Sequence, residues 1–133
     1  MKILFICKYN RFRSRVAEAY FNKINKNKNI KSASAGLIMG SSVNDFQKNT
    51  VRKFGLDISG RPKPLSSKLL KDQDMIIIVA DDVPKEIFKS FKAKIIVWRI
   101  PDAKVNKEDV IVKIVKPILN KVKKLKENLK GIK

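Results

Sequence analysis

The stretch Lys2-Ile3-Leu4-Phe5-Ile6-Cys7-Lys8-Tyr9-Asn10-Arg11-Phe12-Arg13-Ser14 constrains the fold more than any other part of the chain. An apolar, β-branched and aromatic run ends at the only cysteine. A short polar loop follows, and Ser14-Arg15-Val16-Ala17-Glu18-Ala19-Tyr20-Phe21 continues with helical composition. Strand, tight loop and helix in that order aim several backbone N–H groups at one point, which is a natural seat for an oxyanion.

The remainder alternates in the same way. Ile30-Lys31-Ser32-Ala33-Ser34-Ala35 reads as a short second strand closed by Gly36, and Ser42 or Asn44 stands where a helix through Val51 and Phe54, ending at Gly55, needs its N-cap. Asp57 to Pro64 carries two prolines and a glycine and reads as a connector. Leu65 to Leu70 suits a short helix, and Met75-Ile76-Ile77-Ile78-Val79 has the pattern of a strand buried on both faces. Pro84 to Phe91 reads as another helix, followed by the strand Lys94-Ile95-Ile96-Val97-Trp98. In a last helix, about Glu108 to Leu129, Ile111, Ile114, Val115, Ile118, Val122 and Leu125 form one stripe opposite a lysine-rich face, with Pro117 expected to kink it. The stripe is read as core contact, not as a membrane-surface face. These elements predict an α/β fold: a single domain over residues 1–133, a four-stranded parallel sheet, doubly wound with helices on both faces.

Composition narrows the chemistry. A single cysteine forms no intramolecular disulfide, and C-x-x-C spacings for zinc or dithiol exchange are absent. The absence of histidine removes every histidine-based triad and most metal sites, so no metal or other cofactor is expected. The apolar runs are too short for a secretory segment or a bilayer span, and a cytoplasmic protein is expected. The net charge of +19 is dispersed, mostly as lysine, and its direct consequence is steering of anionic substrates. Nucleic-acid binding is the alternative reading, but no zinc finger, RNP or basic-zipper pattern accompanies the charge.

Within C-x-x-x-x-x-R-S, the loop is short enough to wrap a tetrahedral oxyanion, with Lys8, Tyr9, Asn10, Arg11, Phe12 and Arg13 as its phosphate-binding residues. Arg13 is able to clamp two oxygens bidentately with the sulfur beneath the centre. The converging N–H groups, Arg13 and the helix end favour thiolate over thiol. Ser14 is placed either to hydrogen-bond the sulfur or to serve as a plain N-cap. Asn10 lies where a left-handed backbone is expected. A thiolate attacking phosphorus needs an acid for the leaving oxygen, and without histidine the candidates are carboxylates. Asp81 and Asp82 follow the strand Met75 to Val79, Asp102 follows Lys94 to Trp98, and residue pattern alone does not choose between them.

These residues resemble the low-molecular-weight protein tyrosine phosphatase superfamily, which includes related arsenate reductases. The match runs in order through Ile3 to Cys7, Asn10, Arg13-Ser14, Ala17-Glu18-Ala19, Ser34-Ala35-Gly36, Gly55 to Gly60 and Trp98-Arg99-Ile100-Pro101-Asp102. The resemblance implies Cys7 as nucleophile, Arg13 on the phosphate, Ser14 supporting the thiolate, Asn10 bracing the loop and Asp102 as acid, then base. It further implies a cysteine-dependent phosphomonoester phosphatase, with phosphotyrosine the family's usual substrate. The implied partners are a phosphorylated protein or small phosphomonoester, and inorganic phosphate or a similar oxyanion.

The chain departs from the family pattern at the site. Tyr9 stands where glycine is common, Arg11 where the residue is apolar or small, and Phe12 where many members have a second cysteine. Asp102 is followed by Ala103-Lys104-Val105 instead of proline and aromatics. Two other readings follow from the same residues: arsenate reduction with an external small thiol, because no resolving cysteine is present, and a non-enzymatic polyanion binder on the same fold.

Overall fold

The computed structural model describes residues 1–131. Four strands, β1 (Lys2–Cys7), β2 (Lys31–Gly36), β3 (Met75–Val79) and β4 (Lys94–Trp98), form one sheet in the order β2-β1-β3-β4 with every pair parallel. The helices are α1 (Arg13–Ile24), α2 (Asp45–Arg52), α3 (Ser67–Lys71) and α4 (Glu108–Asn128). This is the doubly wound parallel architecture that the alternation predicts.

Strand period places the core. In β1, Ile3 and Phe5 enter one cluster while Leu4 and Ile6 enter the other, and in β3 Met75, Ile77 and Val79 oppose Ile76 and Ile78. The first cluster is closed by Val16 and Phe21 of α1 and by Ile111, Val115, Ile118 and Val122 of α4. The second is closed by Leu70 of α3 and by Phe88. The α4 stripe is therefore packed against the protein's own core. No helix among the described residues is long and apolar enough to cross a membrane.

Expected boundaries shift at several elements: α2 stops at Arg52, before Gly55, and α3 runs Ser67–Lys71 instead of Leu65 to Leu70. Pro84 to Phe91 forms only a 3-10 turn over Lys85–Phe88, because one side chain, the fully buried Phe88, anchors the segment and its exposed flank gains nothing from further turns. The second strand runs from Lys31 and includes Gly36 instead of stopping before it. Asn44, not Ser42, caps α2, its side chain accepting from Gln47 N. Pro117 lies inside α4.

Strand order reverses at β1, with β2 on one side and β3 on the other. Ligand sites in such sheets form beyond the carboxyl ends of the strands at that point. Cys7 ends β1 there, and Asp81 and Asp82 follow β3 beside it.

Candidate active site

The loop between β1 and α1 is held by chain segments remote in sequence. Asn10 is the only non-glycine among the described residues with positive φ, at 54°, a conformation asparagine tolerates. Its buried side chain is fully used: Oδ1 accepts from Lys63 N at 2.9 Å, and Nδ2 donates to Ser14 Oγ at 2.8 Å and to Ser34 Oγ at 2.9 Å. Because Lys63 N can only donate, the amide orientation is fixed. Ser34 in turn donates to Glu18 Oε1 at 2.6 Å.

That network leaves Ser14 able to donate to the sulfur. Ser14 Oγ lies 2.9 Å from Cys7 Sγ and accepts from Asn10, which leaves its own hydrogen for the sulfur. Ser14 is not the helix cap; Phe12 occupies that position, with no side-chain cap bond and its ring in the core. Cys7 itself is 2% exposed at the end of its strand.

Arg13, the first residue of α1, is 1% exposed. Its Nη1 donates to Ile100 O at 2.9 Å and its Nη2 to Asp82 Oδ1 at 3.1 Å, while Asp81 Oδ1 lies 3.7 Å from Nη1 and Asp102 Oδ1 3.8 Å from Nε. Two of the guanidinium's five N–H groups are thereby committed to positioning it, and three stay available to a ligand.

A small recess of about 40 Å³ opens above the sulfur, lined by Cys7, Tyr9, Arg11, Phe12, Arg13, Gln47, Asp102 and Ala103. That exceeds the roughly 10–15 Å³ needed by one water and suits a compact anion. Among the three carboxylates left open by residue pattern, only Asp102 lines the recess; Asp81 and Asp82 approach Arg13 without being part of that lining. Asp102 Oδ1 also accepts from Ala103 N at 2.9 Å.

The expected loop residues divide by role. Tyr9, Arg11, Phe12 and Arg13 line the recess, whereas Asn10 braces the loop and Lys8 places its ammonium 5.3 Å from the Tyr9 ring centre. Tyr9 does not require the positive φ that glycine would serve, and room for it comes from Gly40, where an added Cβ would lie 2.7 Å from Tyr9 Cβ. Ser34, Glu18, Lys63 N and Gln47 carry no role in the residue pattern, because their contacts depend on tertiary placement, and Asp82, a candidate acid by pattern, instead accepts from Arg13. Beyond the recess, Asp57 is held below the usual carboxylate range by hydrogen bonds from the Ser59 side chain and backbone N–H, at the head of the segment that supplies Lys63.

Gly36 is the tightest point. A Cβ there would lie 2.6 Å from Tyr9 C and 2.8 Å from Asn10 N, both backbone atoms of the loop. Gly36→Ala is expected to push the loop off its seat, destabilising the fold by about 1–3 kcal/mol and lowering oxyanion affinity. Thermal unfolding with and without phosphate checks both effects.

Comparison with known proteins agrees with this geometry. The model of the low molecular weight phosphotyrosine protein phosphatase family matches residues 2–131. A low molecular weight protein tyrosine phosphatase from T. tengcongensis is 25% identical with a TM-score of 0.84, the match covering 97% of this chain and 99% of that one. An arsenate reductase from Archaeoglobus fulgidus is 26% identical with a TM-score of 0.74, over 94% and 98% of the two chains. The arginine phosphatase YwlE from Geobacillus stearothermophilus shares the fold at 20% identity, with a TM-score of 0.83 over 96% of this chain and 92% of that one. With a strand-end thiol, a braced loop and a buried arginine on one recess, and a family match over nearly its whole length, the chain belongs to the low molecular weight phosphotyrosine protein phosphatases.

Proposed function

We propose that the protein is a phosphomonoester phosphatase that works through a phosphocysteine on Cys7. The observation that carries this reading is the convergence of Cys7, Arg13 and Asp102 on one anion-sized recess, with a hydroxyl hydrogen from Ser14 directed at the sulfur. In the first step Cys7 Sγ attacks phosphorus, the S–P bond forms, the ester P–O bond breaks, and Asp102 gives its proton to the departing oxygen. In the second, Asp102 takes a proton from water, the water oxygen attacks phosphorus, and the S–P bond breaks to release inorganic phosphate and the thiolate. Arg13 holds two phosphoryl oxygens through both steps and meets the charge that develops on them. A YwlE mutant carrying a phosphorylated active-site serine is known in this fold, which supports a covalent intermediate at this position.

Purified protein is expected to hydrolyse aryl phosphates without added metal. Asp102→Asn should lower kcat by about 10²–10⁴-fold for poor leaving groups and much less for good ones, since only the former need the proton. A series of substituted phenyl phosphates checks this; an equal loss across the series removes Asp102 from the acid role.

Arsenate would fit the same recess, and a neighbour in the fold bears that name. With one cysteine in the chain, turnover of an arsenate adduct calls on an external thiol, and the phosphatase reading needs nothing beyond water. Arsenite formation with glutathione or similar thiols, measured beside phosphate release, separates the two.

A further inference from the structure

Gln47 is the third residue of α2, where sequence offers it a local partner. In an Asn-x-x-Gln helix start, the N-cap side chain accepts from the third residue's N–H and the glutamine reaches back to the cap's own N–H. Only the first half is present. Asn44 Oδ1 accepts from Gln47 N at 2.8 Å, whereas Gln47 Oε1 has no hydrogen-bond partner among the described residues although Gln47 is only 5% exposed. The side chain instead lines the recess above Cys7.

The neighbouring groups do not meet its need for a donor. Asp102 Oδ1 takes the Ala103 N–H, Arg13 donates to Ile100 O and Asp82, and neither is bonded to Gln47 Oε1. Arg11 Nε, buried on the same wall, is likewise without a partner and is not bonded to Gln47. A buried acceptor is costly to leave unmet, and a bound phosphoryl dianion brings only further acceptors. A donor carried by the leaving group would meet it.

We propose that Gln47 is a specificity-determining residue, its amide oxygen accepting a hydrogen bond from an O–H or N–H of the leaving group close to the scissile bond. This rests on the phosphatase reading above. The favoured substrates are phosphoryl compounds with a donor within a few bonds of the bridging atom: a monoester with a neighbouring hydroxyl, or a phosphoramidate with its own N–H. A plain aryl ester lacks such a donor and leaves the oxygen unpaired in the filled pocket, the circumstance in which polar sites discriminate most strongly.

The test compares kcat/KM of the full chain for 2-hydroxyphenyl phosphate and 2-methoxyphenyl phosphate, esters of similar size and leaving-group acidity that differ in the donor. Wild type is expected to favour the hydroxy ester by about tenfold. Gln47→Met should bring that ratio to about one, and Gln47→Glu, which keeps an acceptor, should retain a preference. N-phosphoarginine forms the second arm: a kcat/KM ratio of N-phosphoarginine to 2-methoxyphenyl phosphate that falls in Gln47→Met more than in Gln47→Glu assigns the donor to nitrogen. A wild-type ratio near one, or an equal loss on both esters in Gln47→Met, overturns the assignment while leaving the phosphatase reading intact. No hydrolysis of any of these compounds by wild type overturns both.

Discussion

Cys7→Ser is expected to lose aryl phosphate turnover by about 10⁴-fold or more while keeping its thermal stability close to wild type. The substitution leaves every brace in place: Asn10 still meets Lys63, Ser14 and Ser34, and Arg13 still meets Ile100 and Asp82. What disappears is the nucleophile, because a serine hydroxyl in the same seat is far weaker than a thiolate at neutral pH and no histidine is present to activate it. Steady-state kinetics and a melting curve on the same preparation check the prediction. Retained turnover would reject covalent catalysis at Cys7, and a large fall in melting temperature would make the kinetic loss uninterpretable as chemistry.

Arg13→Lys should be almost as damaging to catalysis and, unlike the cysteine change, should also weaken the fold. Lysine keeps the charge and loses the planar fork, so it cannot hold Ile100 O and Asp82 while presenting parallel N–H groups to an oxyanion. We expect kcat/KM to fall about 10³-fold, the scale attached to loss of an arginine that meets transition-state charge on a phosphoryl group. Arg13 is buried, but Asp81 and Asp82 have side chains 46% and 36% exposed, so water screens and partly replaces those contacts. The stability loss is accordingly set at roughly 1–3 kcal/mol, dominated by the unmet Ile100 carbonyl and by the poorly housed ammonium. Inhibition by inorganic phosphate should weaken in parallel with kcat/KM. A lysine variant with wild-type phosphate inhibition would mean that the backbone of the loop, and not residue 13, carries anion binding.

The parts of the molecule legible in the sequence are those governed by short-range rules. The strand at Met75–Val79 is recognisable because a run apolar on both faces has few alternatives to a central parallel position, and the cap of α2 is narrowed to Ser42 or Asn44 because an N-cap acts within three residues of itself. Local composition from Pro84 to Phe91 permits a helix, but Phe88 is the one fully buried side chain of the segment and only the turn Lys85–Phe88 is ordered, as a 3-10 helix. At the site, residue type and spacing pointed to Cys7, Arg13 and Ser14, since all three belong to one loop. Residue pattern leaves Asp81, Asp82 and Asp102 open and the family resemblance points to Asp102; that Asp102 alone of the three lines the recess is a matter of sheet geometry that no local pattern contains. Gln47 was invisible for a subtler reason: Asn44-x-x-Gln47 satisfies a capping rule on paper, and only the three-dimensional arrangement shows the glutamine spending its side chain elsewhere.

The bracing of Asn10 has a temporal meaning as well as a geometric one. Its partners lie 4, 24 and 53 residues away along the chain, so the loop closes only after α1 has formed, β2 has docked and the segment at Lys63 has come to rest over it. Contacts of such separation are costly to bring together and tend to form late in folding. A chain in which these segments have come apart carries Cys7 without its surroundings, so the integrity of the loop is tied to that of α1, β2 and the segment at Lys63 together.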